Sequence, residues 1–135
     1  VIRKNIYICS IIKIKEKPIF GYGVGNTQSQ LDHCYLEKGI DLSLKTYNCH
    51  NQFFSILLTS GIVGLLLYLF SIYKILKIFY AHRNFLALSI LLLLLLNFLT
   101  ENVIERENGM IIYSYLLSFF MFYPKSYQHS QKLLK

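Results

Sequence analysis

Acidic residues are few in this chain: 7 Asp and Glu stand against 14 Lys and Arg, for a net charge of +7 over 135 residues. Such an excess of cations invites a nucleic-acid partner, but no nucleic-acid-binding motif accompanies it. The cations instead flank apolar runs, with Lys74, Lys77 and Arg83 between two of them and Lys125, Lys132 and Lys135 after the last. That is how the cytoplasmic loops of membrane proteins are charged. Cysteine is sparse too. Cys9, Cys34 and Cys49 show no C-x-x-C spacing, which removes the common zinc and redox motifs. Plain thiols are expected, and Cys34 and Cys49, sharing one loop, are the pair that a disulfide would join. Gly21-Tyr22-Gly23-Val24-Gly25-Asn26 lacks the register of a dinucleotide fingerprint and reads as a tight bend requiring positive φ. No secretory signal is visible, because no uninterrupted apolar core follows Arg3 and Lys4. A start at Val1 suits the C-terminal piece of a longer membrane protein, or a truncated reading frame.

What the chain does have is apolar length. Apolar residues make up 54% of it, and they are clustered. Residues 53–73 carry no charge and are long enough to cross about 30 Å of hydrocarbon as a helix. Gly61 and Gly64 in this run let a neighbouring helix approach closely. A second span is expected over 84–100 and a third, shorter one over 109–123, ended by Pro124. Residues 124–135 form a cytoplasmic basic tail, and 1–52 an exterior region. Within the latter, Ile8, Ile11, Ile12 and Ile14 suit an amphipathic helix lying on the membrane surface. The fold class is therefore all-α: a polytopic membrane protein fragment with about three transmembrane helices, an N-terminal amphipathic helix and a periplasmic loop. The basic Lys74–Arg83 loop sets the cytoplasmic side, leaving Gly21–Gln52 and Glu101–Glu107 outside.

The most informative stretch is Asn48-Cys49-His50-Asn51-Gln52, where a polar loop runs straight into the first span. Polar and ionisable groups at a membrane mouth are costly unless used. His50 is the natural general base, since imidazole titrates near neutrality. Asn51 suits orienting His50 or binding sugar hydroxyls, although Asn48 or Asn51 equally suits capping the helix. Arg3 offers planar, bidentate hydrogen bonding to phosphate. Glu101 and Arg106 open the other exterior loop and are placed to line the same cavity, or to pair with each other. His33, His82 and His129 fall into no pattern.

These residues resemble the superfamily of bacterial O-antigen ligases and O-antigen polymerases. The resemblance rests on three parts, in order, over roughly Arg3 to Phe122. The first is Arg3 followed by Lys17-Pro18-Ile19-Phe20-Gly21-Tyr22-Gly23-Val24-Gly25. The second is His50-Asn51-Gln52-Phe53-Phe54 with Ser60-Gly61-Ile62-Val63-Gly64-Leu65. The third is Leu99-Thr100-Glu101-Asn102 with Glu105-Arg106-Glu107-Asn108-Gly109. The resemblance implies a multi-pass protein of the bacterial inner membrane whose active-site loop is periplasmic. It implies a donor glycan carried on undecaprenyl pyrophosphate and an acceptor that is lipid A core or another glycan, with no metal or cofactor. It also implies catalysis by His50, with Arg3, Asn51, Glu101 and Arg106 binding substrate. Family members carry further arginines on earlier segments, so this chain by itself is expected to be inactive. The competing readings are a non-catalytic membrane subunit or remnant of such an enzyme, and a fragment of a lipid-linked glycan transporter. A transporter would place charges inside its spans, whereas here the polar residues gather at one exterior face.

Overall fold

The computed structural model describes residues 2–40 and 47–133, with side chains to residue 122. Residues 41–46 of the expected exterior loop and the tail side chains Lys125 and Lys132 lie outside that set. Five helices follow in order: α1 (Ile2–Glu16), α2 (Thr27–Glu37), α3 (Gln52–Ala81), α4 (Phe85–Phe98) and α5 (Glu107–Leu133). Among the described residues there is no strand. They divide into two compact units, Val1–Leu69 with Phe98–Asn102, and Phe70–Asn97 with Val103–Lys135.

The first unit is organised by α1, α2 and the start of α3. Its core is Ile6, Cys9, Leu31, Cys34, Tyr35, Ile40, Cys49 and Leu58. The buried stripe of α1 is Ile6, Cys9 and Ser10, whereas Ile11 and Ile12 are exposed. Of the isoleucines that give α1 its amphipathic pattern, Ile11 and Ile12 therefore face away from the core, whereas Ile14 packs against it. Ser10 tolerates burial because its hydroxyl donates to the Ile6 carbonyl at 2.9 Å, so no polar group is left unsatisfied. Pro18 follows α1 closely, and the residue before a proline is pushed out of helical geometry. Lys13 and Lys15 in the last turn favour the negative end of the helix dipole.

The cysteine expectation is corrected here. Cys9 of α1 is bonded to Cys34 of α2, with Cα atoms 5.8 Å apart across a sequence separation of 25. Cys49 remains a buried thiol. Sharing a loop was the wrong criterion: the packing of α1 on α2 brings the two partners together. Closing a loop of that length contributes about 3 kcal/mol in the chain-entropy account.

The glycine bend behaves as its sequence requires. Gly21 (φ 66°) and Gly23 (φ 81°) both take the left-handed conformation. What this bend meets differs from the expectation. Gly61, read as a contact point for a neighbouring helix, is instead a break within α3 (φ 64°, ψ −162°), in a region essentially closed to residues with a side chain. The Pro18–Gly23 segment lies along that break, backbone to backbone. Tyr22 N–H donates to the Leu58 carbonyl at 2.7 Å, Gly23 N–H to Thr59 at 2.9 Å, and Ile62 N–H to Pro18 at 2.8 Å. The backbone groups that the break would orphan are thereby paired. A Cβ on Gly61 would collide with the Ile19 carbonyl, and one on Gly21 with the Leu58 carbonyl. Tyr22 adds a side-chain tether: its hydroxyl donates to Glu16 at 2.6 Å. That bond, with Lys13, holds the Glu16 carboxyl below its usual range.

In the second unit the C-terminal half of α3 packs with α4 and α5 around Phe79, Ala87, Leu91 and Phe120. Asn84 caps α4, its Oδ1 accepting from Ala87 N–H at 3.1 Å. Among the described residues one helix, Gln52–Ala81, is long and apolar enough to cross a membrane. The second expected span is Phe85–Phe98, only 14 residues, or about 21 Å at helical rise. The third does not stop at Pro124, because the helical backbone of α5 continues to Leu133. Proline's fixed φ is compatible with helix; its missing N–H costs a single internal bond.

Two outcomes are expected. Gly61→Ala combines ~1–3 kcal/mol of backbone strain with a backbone collision, so it should sharply lower the yield of folded protein from membranes, while Gly25→Ala, with open space around its Cβ, should not. Alkylation under denaturing, non-reducing conditions should label Cys49 alone and, after reduction, all 3 cysteines; mass spectrometry finding Cys9 labelled without reduction contradicts the pairing.

Candidate functional site

The loop before α3 delivers His50 in an unusual way. Its φ is 47°, a left-handed conformation that costs a residue with a side chain on the order of 1 kcal/mol, though histidine adopts it more readily than most. Three contacts hold it there. Asn48 Oδ1 accepts from the His50 N–H at 3.2 Å. Tyr7 of α1 donates its hydroxyl to the His50 carbonyl at 3.4 Å. Immediately after, Asn51 caps α3, its Oδ1 accepting from Phe53 N–H at 3.0 Å and Phe54 N–H at 3.1 Å. Turning the chain left-handed at His50 lets the next residue cap the helix.

The short segment 98–102 is held by three ties, two to this loop and one to α1. Asn51 Nδ2 donates to the Leu99 carbonyl at 3.0 Å. Arg3 Nη2 donates to the Thr100 carbonyl at 3.1 Å. Asn102, 1% exposed, donates from Nδ2 to the Cys49 sulfur at 3.4 Å. The Cys49 thiol in turn donates to the Asn51 carbonyl at 3.3 Å. Glu101 sits between the tied residues, and its Oε2 lies 3.5 Å from His50 Nδ1. That is ion-pair distance and long for a hydrogen bond. Both side chains remain partly open to solvent, at 26% for His50 and 43% for Glu101.

Ile2, Arg3, Ile6, Tyr47, His50 and Glu101 line one open pocket of about 240 Å³. This is below the ~300–1,000 Å³ typical of a whole small-molecule site, and its size suits a fragment such as a phosphate group or part of one sugar. The Arg3 guanidinium lies 5.8 Å from the centre of the Tyr7 ring, a cation–π arrangement that orients it, and Tyr7 packs edge-on against Phe54 at 5.9 Å. The pocket thus holds a cationic fork, an imidazole and a carboxylate on one side, and aliphatic and aromatic surface on the other. Among the described residues no cluster of His, Cys, Asp and Glu is arranged to hold a metal.

Of the residues singled out from the sequence, Arg3, His50 and Glu101 meet in this pocket. Asn51 stands beside it with both ends of its amide engaged, as helix cap and as tether for Leu99. Arg106 belongs to the second unit, where its N–H donates to Val103 and its carbonyl accepts from Met110. The lining residues all come from the first unit. Tyr7, Tyr47, Cys49 and Asn102 carry no distinguishing signal in a chain with 11 tyrosines. Only position pointed toward the site, Cys49 standing next to His50 and Asn102 next to Glu101.

Asn51 offers a clean separation of its two roles. Asn51→Ala should lose both the cap, at about 1 kcal/mol, and the Leu99 tether. Asn51→Asp keeps an acceptor for the cap but loses the donor to Leu99. Amide hydrogen exchange should therefore accelerate at Phe53 and Phe54 only in the alanine variant, and around 98–102 in both. Equal protection of 98–102 in the aspartate variant would contradict the tether.

Comparison with known proteins identifies a family for the first unit. A family model described as O-Antigen ligase matches residues 1–69, which is 69 of the 135 residues. The match ends where the main segment of the first compact unit ends. It includes Arg3 and His50 but not Glu101. No curated protein matches the chain, and no solved structure does. With half of its length matched, including two of the three polar groups of the pocket, the chain belongs to the O-antigen ligase family.

Proposed function

We propose that this chain carries the reactive part of a glycosyltransferase that moves a glycan from undecaprenyl pyrophosphate to a lipid A core or glycan acceptor at the periplasmic face of the inner membrane. Family membership implies glycosyltransferase-type chemistry on lipid-linked glycans in a bacterial membrane. The single observation that carries the finer reading is the meeting of Arg3, His50 and Glu101 in one pocket.

The chemistry follows from the atoms present. Glu101 faces His50 Nδ1, so the neutral imidazole carries its proton there and presents Nε2 as a free lone pair. Nε2 takes the proton of an acceptor hydroxyl as that oxygen attacks the anomeric carbon of the donor sugar. The bond from that carbon to the pyrophosphate oxygen breaks, its electron pair leaves with the lipid pyrophosphate, and direct attack inverts the anomeric centre. The Glu101 carboxylate steadies the imidazolium that forms, as the buried acid does in a catalytic triad. The Arg3 guanidinium, with one donor committed to Thr100, directs its remaining N–H groups at phosphate oxygens. Apo geometry is commonly looser than that of the reacting complex, which fits the 3.5 Å separation of His50 and Glu101. Asn51 acts by positioning, through the helix cap and the Leu99 tether, and Arg106 has no role in this scheme.

Two observations support the exterior placement. The Cys9–Cys34 disulfide belongs to an oxidising compartment such as the periplasm. Lys74 and Lys77 lie near the end of α3, which runs to Ala81 where a loop was expected, and with Arg83 just after it they belong on the cytoplasmic side.

The test is complementation in the host with the gene carrying His50→Ala, reading surface polysaccharide on a gel and protein level in the membrane fraction. Loss of the polysaccharide ladder at normal protein level is expected, by at least ~100-fold for removal of a general base. No glycan attached to core identifies a ligase, and a single repeat attached to core a polymerase. An unchanged ladder sinks the mechanism and leaves His50 as a turn residue before a helix.

A further inference from the structure

The outer face of the first unit carries a feature that the pocket chemistry does not use. Before the break at Gly61, α3 is packed into the protein: Gln52 is 3% exposed, Ser55 4% and Leu58 1%. Immediately after it, large apolar side chains turn outward, with Ile62 41% exposed, Leu66 59% and Leu67 65%. The Pro18–Gly23 segment, paired to the break, is just as open, with Phe20 76% exposed and nearby Val24 88%. These two surfaces are continuous, since Ile62 N–H donates to Pro18 and Val63 N–H to Ile19. A short run of charge precedes this surface. Lys15, Glu16 and Lys17, all exposed, lead directly into Pro18, and such groups are strongly disfavoured within hydrocarbon.

The geometry points to Gly61, not Gln52, as the level where α3 enters the hydrocarbon, and to the Ile19–Val24 bend as a surface that rests on the exterior phospholipid leaflet. The inference builds on the membrane reading of α3. Length supports it. From Gly61 to Lys77 α3 has 17 residues, at the short end of the ~17–25 that cross the hydrocarbon core, whereas all 30 residues of α3 would rise about 45 Å. Phe20 and Val24 then insert among the upper acyl chains, as interfacial apolar residues do. Lys15 and Lys17 reach lipid phosphates beside them. The far end is bounded by Lys74 and Lys77, whose long stems allow the ammonium groups to reach the opposite headgroups. The consequence for the site is a height. Gln52 stands nine residues above Gly61, about 13 Å along the helix, beyond a headgroup layer roughly 5–7 Å deep. The pocket therefore opens above the headgroups and meets the sugar end of a lipid-linked donor, while the bend meets the lipid.

The chain contains no tryptophan, so one introduced indole reports alone. Three variants, Leu67→Trp, Phe20→Trp and Tyr47→Trp, are reconstituted into vesicles of phosphatidylethanolamine and phosphatidylglycerol. Each is exposed to lipids brominated near the carbonyl end of the acyl chains and, separately, to aqueous iodide. The expected result is that the indoles at 67 and 20 lose most of their emission to bromine and the one at 47 loses its emission to iodide alone. Bromine quenching at 67 and 47 together would place the boundary back at Gln52 and overturn the inference. Quenching at 67 with an iodide-accessible indole at 20 would remove the bend from the leaflet and overturn it too. Absence of bromine quenching at 67 would sink the membrane reading of α3 itself, and the inference with it.

Discussion

The first unit depends on one close approach, that of the Pro18–Gly23 backbone to the break in α3 at Gly61. A helix interrupted in an apolar stretch leaves N–H and C=O groups without partners, and each such group is expensive where water is scarce. Here a second stretch of backbone supplies the partners, at 2.7 to 2.9 Å for the tightest three. Two chains can approach that closely only where neither has a Cβ in the way. Gly21 and Gly61 meet that condition for each other, and both have positive φ. The two glycines are a single structural device contributed by positions forty residues apart.

That device fixes the arrangement of the first unit. Pro18 and Gly21 tie the end of α1 to the middle of α3, so α1 runs back alongside the start of α3. Its own start, with Arg3 and Tyr7, reaches the loop before Gln52. The Cys9–Cys34 bond pins α1 to α2 midway. Arg3 then lies within reach of the Thr100 carbonyl, and Tyr7 within reach of His50. The pocket is the opposite end of the same lever whose fulcrum is the glycine contact.

The local energetics of the pocket are those of a site held open. His50 has left-handed backbone, and the His50–Glu101 pair is long and partly solvated. Exposed ion pairs contribute little to stability, so this one is better understood through what it does to the imidazole than through what it adds to folding. Stability is supplied nearby instead, by the Asn51 cap, by buried Asn102 against Cys49, and by the apolar core beneath.

The sequence by itself determined the helical class, the apolar stretch that became α3, the positive-φ bend at Gly21 and Gly23, and the residue types of the site. These are consequences of local pattern: uncharged length, glycine where a side chain is strained, and an imidazole and a guanidinium flanking apolar runs. It misjudged the second and third spans at their ends, because helix termini are decided by caps and packing. Asn84 and Phe98 bound α4, and Pro124 sits within α5. Only the tertiary structure decided that Cys9 and not Cys49 pairs with Cys34, that Gly61 breaks α3, and that Glu101 joins His50 while Arg106 lies in the other unit. Each of these is a contact between residues distant in sequence, and no periodicity encodes a distance across space. The chain's composition specified which groups are chemically able, and the packing of α1 along α3 specified which of them meet.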